Sequence, residues 1–285
     1  MDILVQPHCI LGENPLWDDR EACLYWTDID GGALYRYRSD QPGGQHEVIY
    51  RGEKVGGFTL QEDGSLLLFR VSDIARLPVG QGGGGEVEVL VEVAEAGLKR
   101  FNDVIATPAG DVFAGTVGET ESSGGVYRVY QDGALEKLWD GTEIANGMGF
   151  SPDLRFFYWT DSTARHIYRF SYGETTHKLT GRERIYEASE AEGTPDGLAV
   201  AADGTFFSAR YGGGALVHHA ADGRKLAEVP VGAENVTSAA FGGPEFSTLY
   251  VTTAAGEKSG SGAVFRHDAG FRGRPEFRSR VLLGS

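Results

Sequence analysis

The stretch "CLYWTDIDGGALYRYR" runs from Cys23 to Arg38, and "FYWTDSTARHIYRF" runs from Phe157 to Phe170. Both place aromatic residues ahead of a Thr-Asp pair, break at a turn, and resume as an alternating strand. A phrase repeated in order within one chain signals internal repetition, and its period sets the architecture. Working outward from it recovers six units, spaced by roughly 40–50 residues. They open at Glu13 ("ENPLWDDREACLYWTD"), Gly56 ("GGFTLQEDGSLLLF"), Phe101 ("FNDVIATPAGDVFAGT"), Asn146 ("NGMGFSPDLRFFYWTD"), Pro195 ("PDGLAVAADGTFFSAR") and Val236 ("VTSAAFGGPEFSTLYVT").

Each unit reads as strand, turn, strand, turn, strand and a fourth run. The first turns include Pro152-Asp153, Asp63-Gly64 and Asp203-Gly204. The fourth runs include Glu86–Val93, Glu136–Trp139, Glu183–Tyr186 and Lys225–Val231. Alternating apolar and polar positions, punctuated by Gly, Asp and Pro, are the mark of antiparallel strands. Four strands in each of six units predict an all-β chain: a six-bladed β-propeller of four-stranded antiparallel blades, one domain over residues 1–285.

An unpaired edge strand invites aggregation, so either "DILVQ" from Asp2 or "SRVLLG" from Ser279 is expected to close the ring. In the doubled phrase, Tyr and Trp are expected to pack between blades and Thr and Asp to serve the turns. Gly80–Glu86 ("GQGGGGE") reads as a flexible loop between the third and fourth strands of the second unit. Val91–Lys99 is ambiguous between strand and helix, and no other segment suggests a helix.

Composition narrows the function. The 285 residues carry a net charge of −15, which argues against phosphate-rich partners: no nucleic acid and no anionic membrane. No apolar run reaches the roughly 18 residues of a membrane span. "MDILVQPHCILGENPLW" lacks the basic start of a signal peptide, so a cytoplasmic location is expected. Cys9 and Cys23 make no disulfide framework and read as two separately buried thiols.

Blades meet at a central channel lined by their innermost strands, so residues at equal phase converge there. The residues that open these strands are Glu13, Gly56 or Gly57, Asn102, Asn146, Asp196, and Thr237 or Ser238. Two carboxylates and two amides at one phase suit a hard cation such as Ca²⁺, Mg²⁺ or Mn²⁺, with Zn²⁺ and Fe²⁺ also able to accept oxygen ligands. No His or Cys shares that phase. Read singly, Asn146-Gly147 and Asp196-Gly197 are ordinary turn dipeptides. His218-His219 lies on a strand, where neighbours face opposite sides, and His166 follows the turn of "TDSTARH". No Ser sits in a nucleophile-elbow context, and Gly82–Gly85 lacks the Lys-Ser/Thr of a phosphate loop.

These segments resemble the SMP-30/gluconolactonase/LRE family, which includes regucalcin and bacterial sugar lactonases. The resemblance rests on "LGENPLW" from Leu11, "KRFNDVIATPAGDVFAGT" from Lys99, "ANGMGFSPD" from Ala145 and "YWTDS" from Tyr158. It continues through "TPDGLAV" from Thr194, "YGGG" from Tyr211 and "TSAAFGG" from Thr237. "YWTD" is also similar to the repeats of extracellular YWTD propellers, but their cysteine-rich modules are absent. The family resemblance implies a six-bladed propeller with one divalent cation held by Glu13, Asn146 and Asp196. It implies that Asp196 is the base, that Arg100 and Asn102 contact substrate, and that Asn102 lies at or near the metal. An acidic substrate contact follows "AGT" in some relatives; here Glu119 or Glu121 offers it.

The implied activity is hydrolysis of a sugar (aldono-) lactone by metal-activated water, with a small lactone as partner and a monomer or small homo-oligomer as the working form. Two other readings share the donor set: a phosphotriesterase or aryl esterase, and a non-enzymatic calcium-binding propeller.

Overall fold

A computed structural model describes residues 1–38, 45–93, 97–268 and 270–283. The six repeats form six four-stranded antiparallel sheets arranged as a ring, a six-bladed β-propeller. Within blades one to five the strands run outward from the axis in chain order. Blade one is Gly12–Asp18, Cys23–Asp28, Ala33–Arg38 and His46–Arg51. The innermost strands of blades two to six are Gly57–Leu60, Leu98–Ala106, Ala145–Phe150, Thr194–Val200 and Val236–Gly242. Each innermost strand packs against the next, and that of blade six meets that of blade one.

Closure comes from the N-terminus. Asp2–Val5 pairs antiparallel with Val264–Asp268 as the outer strand of blade six. The alternative closing strand, "SRVLLG", has a different role. Residues 270–283 form a strap across the base, and its one bridge is parallel, between Gln61 and Ser279.

The strap touches the first-to-second-strand turn of every blade. Arg272 O accepts from Ala202 N, Gly273 N donates to Phe246 O, and the Arg274 guanidinium reaches Pro152 O. Arg278 pairs with Asp18 at 2.6 Å, Ser279 N donates to Leu60 O, and Arg280 N donates to Gly110 O. The segment carries its own polar partners, so it needs no sheet ladder to satisfy its backbone.

The doubled phrase behaves as its residue types require. Trp26 stacks on Tyr35 and Trp159 on Tyr168, each a cross-strand pair inside its blade. Both also help fill the space between blades: Trp159 meets Trp139 of blade three edge-on at 5.2 Å, and Trp26 shares a core cluster with Tyr250 of blade six. Asp28 Oδ1 accepts from Gly31 N in its own turn and Leu11 N of the incoming chain. Asp161 Oδ1 likewise accepts from Ala164 N and from Thr142 Oγ1.

Some local expectations change. The Gly80–Glu86 loop holds a two-stranded hairpin, Val79–Gly80 against Gly83–Gly84, because Arg36 donates to Gly80 O and Gly83 adopts a φ of +107° that other residues resist. Val91–Lys99 divides into the end of strand Glu88–Glu92 and the start of Leu98–Ala106, with residues 94–96 outside the described residues. Two 3₁₀ turns, Glu190–Glu192 and Pro244–Phe246, are the only helical pieces among the described residues, and no helix there is long and apolar enough to cross a membrane. Cys9 and Cys23 are both free and buried.

The Arg278–Asp18 pair is nearly dry, with side chains 7% and 4% exposed. Arg278→Ala leaves the Asp18 carboxylate buried without its cation. The expected cost is about 3 kcal/mol in urea unfolding, and a loss below about 1 kcal/mol would show that the strap adds little.

Candidate metal centre

The channel-facing residues stand where the innermost strands break register. In blade one Glu13 pairs with Thr27 and Leu16 with Tyr25, so the inner strand carries one extra residue. The same excess lies between Phe101 and Val104, Asn146 and Met148, Pro195 and Leu198, and Val236 and Ser238. Blade two pairs without interruption from Gly57, and it is also the blade with no oxygen-bearing candidate. A bulge kinks the strand and re-aims a side chain that strict alternation would press against a neighbouring blade.

Gly147 and Gly197 lie in strand interiors, not in the turns that their dipeptides suggest. A Cβ on Gly147 would sit 2.5 Å from Asp196 O and 2.7 Å from Thr160 Oγ1, and one on Gly197 would strike Ser238. Glycine is required because neighbouring inner strands approach closely at the axis. The carbonyl preceding each of three candidates is held from the blade before it. Thr237 Oγ1 donates to Gly12 O at 2.6 Å, Asn102 Nδ2 to Ala145 O at 2.9 Å, and Ser162 Oγ to Pro195 O at 2.7 Å.

Glu13, Asn102, Asn146 and Asp196 are all buried, between 4% and 7% exposed. Asn102 is fully engaged, because its Oδ1 also accepts from Arg100 Nη1 at 2.5 Å. Glu13 Oε2 accepts from Asn14 N at 3.0 Å. Asn146 Nδ2 donates to Ser162 Oγ at 3.1 Å, while Asn146 Oδ1 and Asp196 Oδ1 are buried with no hydrogen-bond partner. Orphaned buried acceptors are costly, and two of them beside a buried acid fit a cation. Among the described residues no three His, Cys, Asp or Glu converge as a metal set. A cation here would have to draw on an amide oxygen as well as carboxylates, and Glu13, Asn146 and Asp196 are the candidate donors.

The electrostatics agree. Burial pushes Glu13 up to about 8, and the Asp103 charge adds to the rise while the Asn14 N–H and Arg100 oppose it. Burial, then Glu13 and Asp103, push Asp196 well above the carboxylate range, against the pull of Arg100. Burial depresses Arg100 itself, and Glu13, Asp30 and Asp196 counter that. A second positive charge in this cluster would relieve its crowded anions.

Glu119 and Glu121 stay outside the cluster, both exposed on the 119–123 connection of blade three. Sequence reasoning passed over Ser162, Asp103 and Glu276. Ser162 stood in plain view after the second "YWTD", and Asp103 beside Asn102. Glu276 had no phase to mark it, since it belongs to the strap. Asp103 and Glu276 line a narrow part of the lower channel, and Glu276 also borders an adjoining cavity of about 280 Å³ with Met148, Leu198 and Phe277. Burial raises both carboxyls to about 7. Glu276 keeps an exposed surface, yet the protein around it still weakens the solvation of its charged form. The three histidines singled out in the sequence have protein partners: His219 is held by Arg210 and Gly223 O, His218 stacks on Phe207, and His166 contacts Tyr168 and Arg184.

Comparison with known proteins adds an independent line. Residues 11–255 match the family model for the SMP-30/gluconolactonase/LRE-like region. The chain is 42% identical to pentonolactonase XacC of Haloferax volcanii, across 99% of this chain and 98% of that protein. It is 33% identical to 6-deoxy-6-sulfogluconolactonase of Pseudomonas putida, across 90% and 87%. The solved structure of a calcium-binding protein, regucalcin, from Agrobacterium tumefaciens superposes with a TM-score of 0.89 at 25% identity, across 98% and 97%.

Two outcomes follow from the geometry. Gly147→Ala should cost about 1–3 kcal/mol in chemical denaturation, because its methyl meets backbone rather than a movable side chain. Unchanged stability would mean that the strands have room. Glu276 binds its proton more tightly folded than unfolded, so its contribution to stability is present below pH 4.5 and lost as pH rises through about 7. Glu276→Gln should therefore lose less Tm between pH 5 and pH 8 than the wild type, and parallel profiles would contradict this.

Proposed function

The chain belongs to the SMP-30/gluconolactonase/LRE-like family, and from that premise we propose that it is a divalent-metal-dependent lactonase acting on a sugar (aldono-) lactone. The observation that carries the reading is the pair of orphaned oxygens, Asn146 Oδ1 and Asp196 Oδ1, buried beside Glu13 on the channel axis. Two lactonases among the relatives support the reaction class, and the regucalcin structure, titled as calcium-binding, supports a divalent cation.

Glu13, Asn146 and Asp196 would hold the ion. Once bound, the cation supplies Lewis acidity toward the lactone carbonyl and toward water. The chain's own groups do the rest. Asp196 accepts the proton of the attacking water, a task open to a buried carboxylate oxygen that has no hydrogen-bond partner of its own. Water adds to the carbonyl carbon, the ring C–O bond breaks, and the ring oxygen takes up a proton to become the hydroxyl of an aldonate. Arg100 donates to the substrate's oxygens from a fixed fork. Asn102 is already committed to Arg100 and Ala145 O, so its part in substrate binding is to orient Arg100. Glu119, exposed at the mouth end of blade three, is assigned to the outer sugar hydroxyls. Oxygen-only ligation suits Ca²⁺, Mg²⁺ or Mn²⁺ first, and accepts Zn²⁺ or Fe²⁺.

Acid release from five- and six-carbon lactones, followed by pH-stat with each divalent cation in turn, tests the proposal. Turnover should require a cation, and Asp196→Ala and Glu13→Gln should each lower kcat/KM by about 10²–10⁴-fold. Full turnover in protein shown to be metal-free would overturn the mechanism. Cation binding without lactone turnover would leave a calcium-binding propeller, and fast hydrolysis of phosphotriesters alone would make it a different hydrolase.

A further inference from the structure

Ser162 sits just beyond the second strand of blade four, 5% exposed and between two candidate ligands. Its hydroxyl has one proton to give. Pro195 O lies 2.7 Å away and, as a carbonyl, only accepts, so the proton goes there. Toward Asn146, at 3.1 Å, the Ser162 oxygen therefore offers lone pairs alone. An amide has two unlike ends, and only its NH₂ satisfies that acceptor. Asn146 must turn Nδ2 to Ser162, which drives Oδ1 into the channel, where it is buried without a partner. The bond that Ser162 donates to Pro195 O holds the backbone one residue before Asp196. One hydroxyl thus sets an amide on blade four and a carboxylate on blade five.

We infer that Ser162 is a positioning residue that fixes the amide polarity of Asn146 and the approach of Asp196, so that both present oxygen to a divalent cation. The inference rests on the metal-centre reading above. Without the hydroxyl, the amide loses its reason to prefer one orientation. A flipped Asn146 would point NH₂, a donor, at a cation. Thr237 and Asn102 hold the carbonyls before Glu13 and Asn146 in the same manner, but neither also orients a ligand side chain through a fixed hydroxyl.

The test is calorimetric titration of the metal-free full chain with Ca²⁺ and with Mn²⁺. Ser162→Ala should raise the cation Kd by about tenfold or more. A second background separates polarity from scaffold. Asn146→Asp offers oxygen at both ends, so there Ser162→Ala should change Kd by less than about threefold. Equal weakening in both backgrounds would mark Ser162 as merely structural and overturn the inference, as would unchanged affinity in Ser162→Ala alone. If the wild type binds neither ion, the metal-centre reading fails first and takes the inference with it. Should Ser162→Ala not fold by circular dichroism, Ser162→Cys, similar in shape and a weak donor, replaces it with the same expectation.

Discussion

Six innermost strands cannot share one axis unless side chains give way where the strands draw close. Gly147 against Asp196 O and Gly197 against Ser238 are two points of close approach, where even one methyl has no space. Five of the six strands also gain a residue at this level, so the chain kinks as it reaches the axis. The kink and the missing side chains have a joint effect. They bring backbone into contact between blades, and they aim the residue beside each glycine, Asn146 or Asp196, into the channel. The geometry that closes the ring is therefore also the geometry that assembles the oxygens.

Packing carries a chemical consequence. Carboxyls gathered in a narrow channel lose solvent, which raises the proton affinity of Glu13, Asp196, Asp103 and Glu276, and neighbouring carboxylates add to the rise at the first three. Arg100 is the cation among them, and burial weakens its hold on its own proton. Hydrogen bonds from one blade to the carbonyl of the next keep the acids from moving apart to relieve this repulsion. A preorganised site that is poor in its own company is a site tuned to take up positive charge.

The strap shows a different division of labour. Its backbone bonds to turns of blades two, three, five and six, and its Arg274 and Arg278 side chains reach blades four and one, so it stabilises the ring without extending any sheet. It also introduces Glu276 beneath the axis. Its residues alternate no more than a loop does, and an apolar run at the C-terminus is equally consistent with a closing strand. The parallel neighbour that it finds at Gln61 is not a feature that local pattern encodes.

The repeat, the blade count and the shared phase of Glu13, Asn102, Asn146 and Asp196 were legible in the sequence, because a propeller reuses one local grammar of strand and turn six times. The meaning of Asn146-Gly147 and Asp196-Gly197 was not: the same dipeptides suit a turn, and only neighbouring strands at the axis make them interior positions. The choice between the two chain ends for the closing strand, the exclusion of Glu119 and Glu121 from the buried cluster, and the roles of Ser162 and Glu276 were likewise tertiary decisions. Each depends on which atoms lie across a blade boundary. Local periodicity determines which face a residue belongs to, but contacts between residues far apart in the chain determine what that face meets.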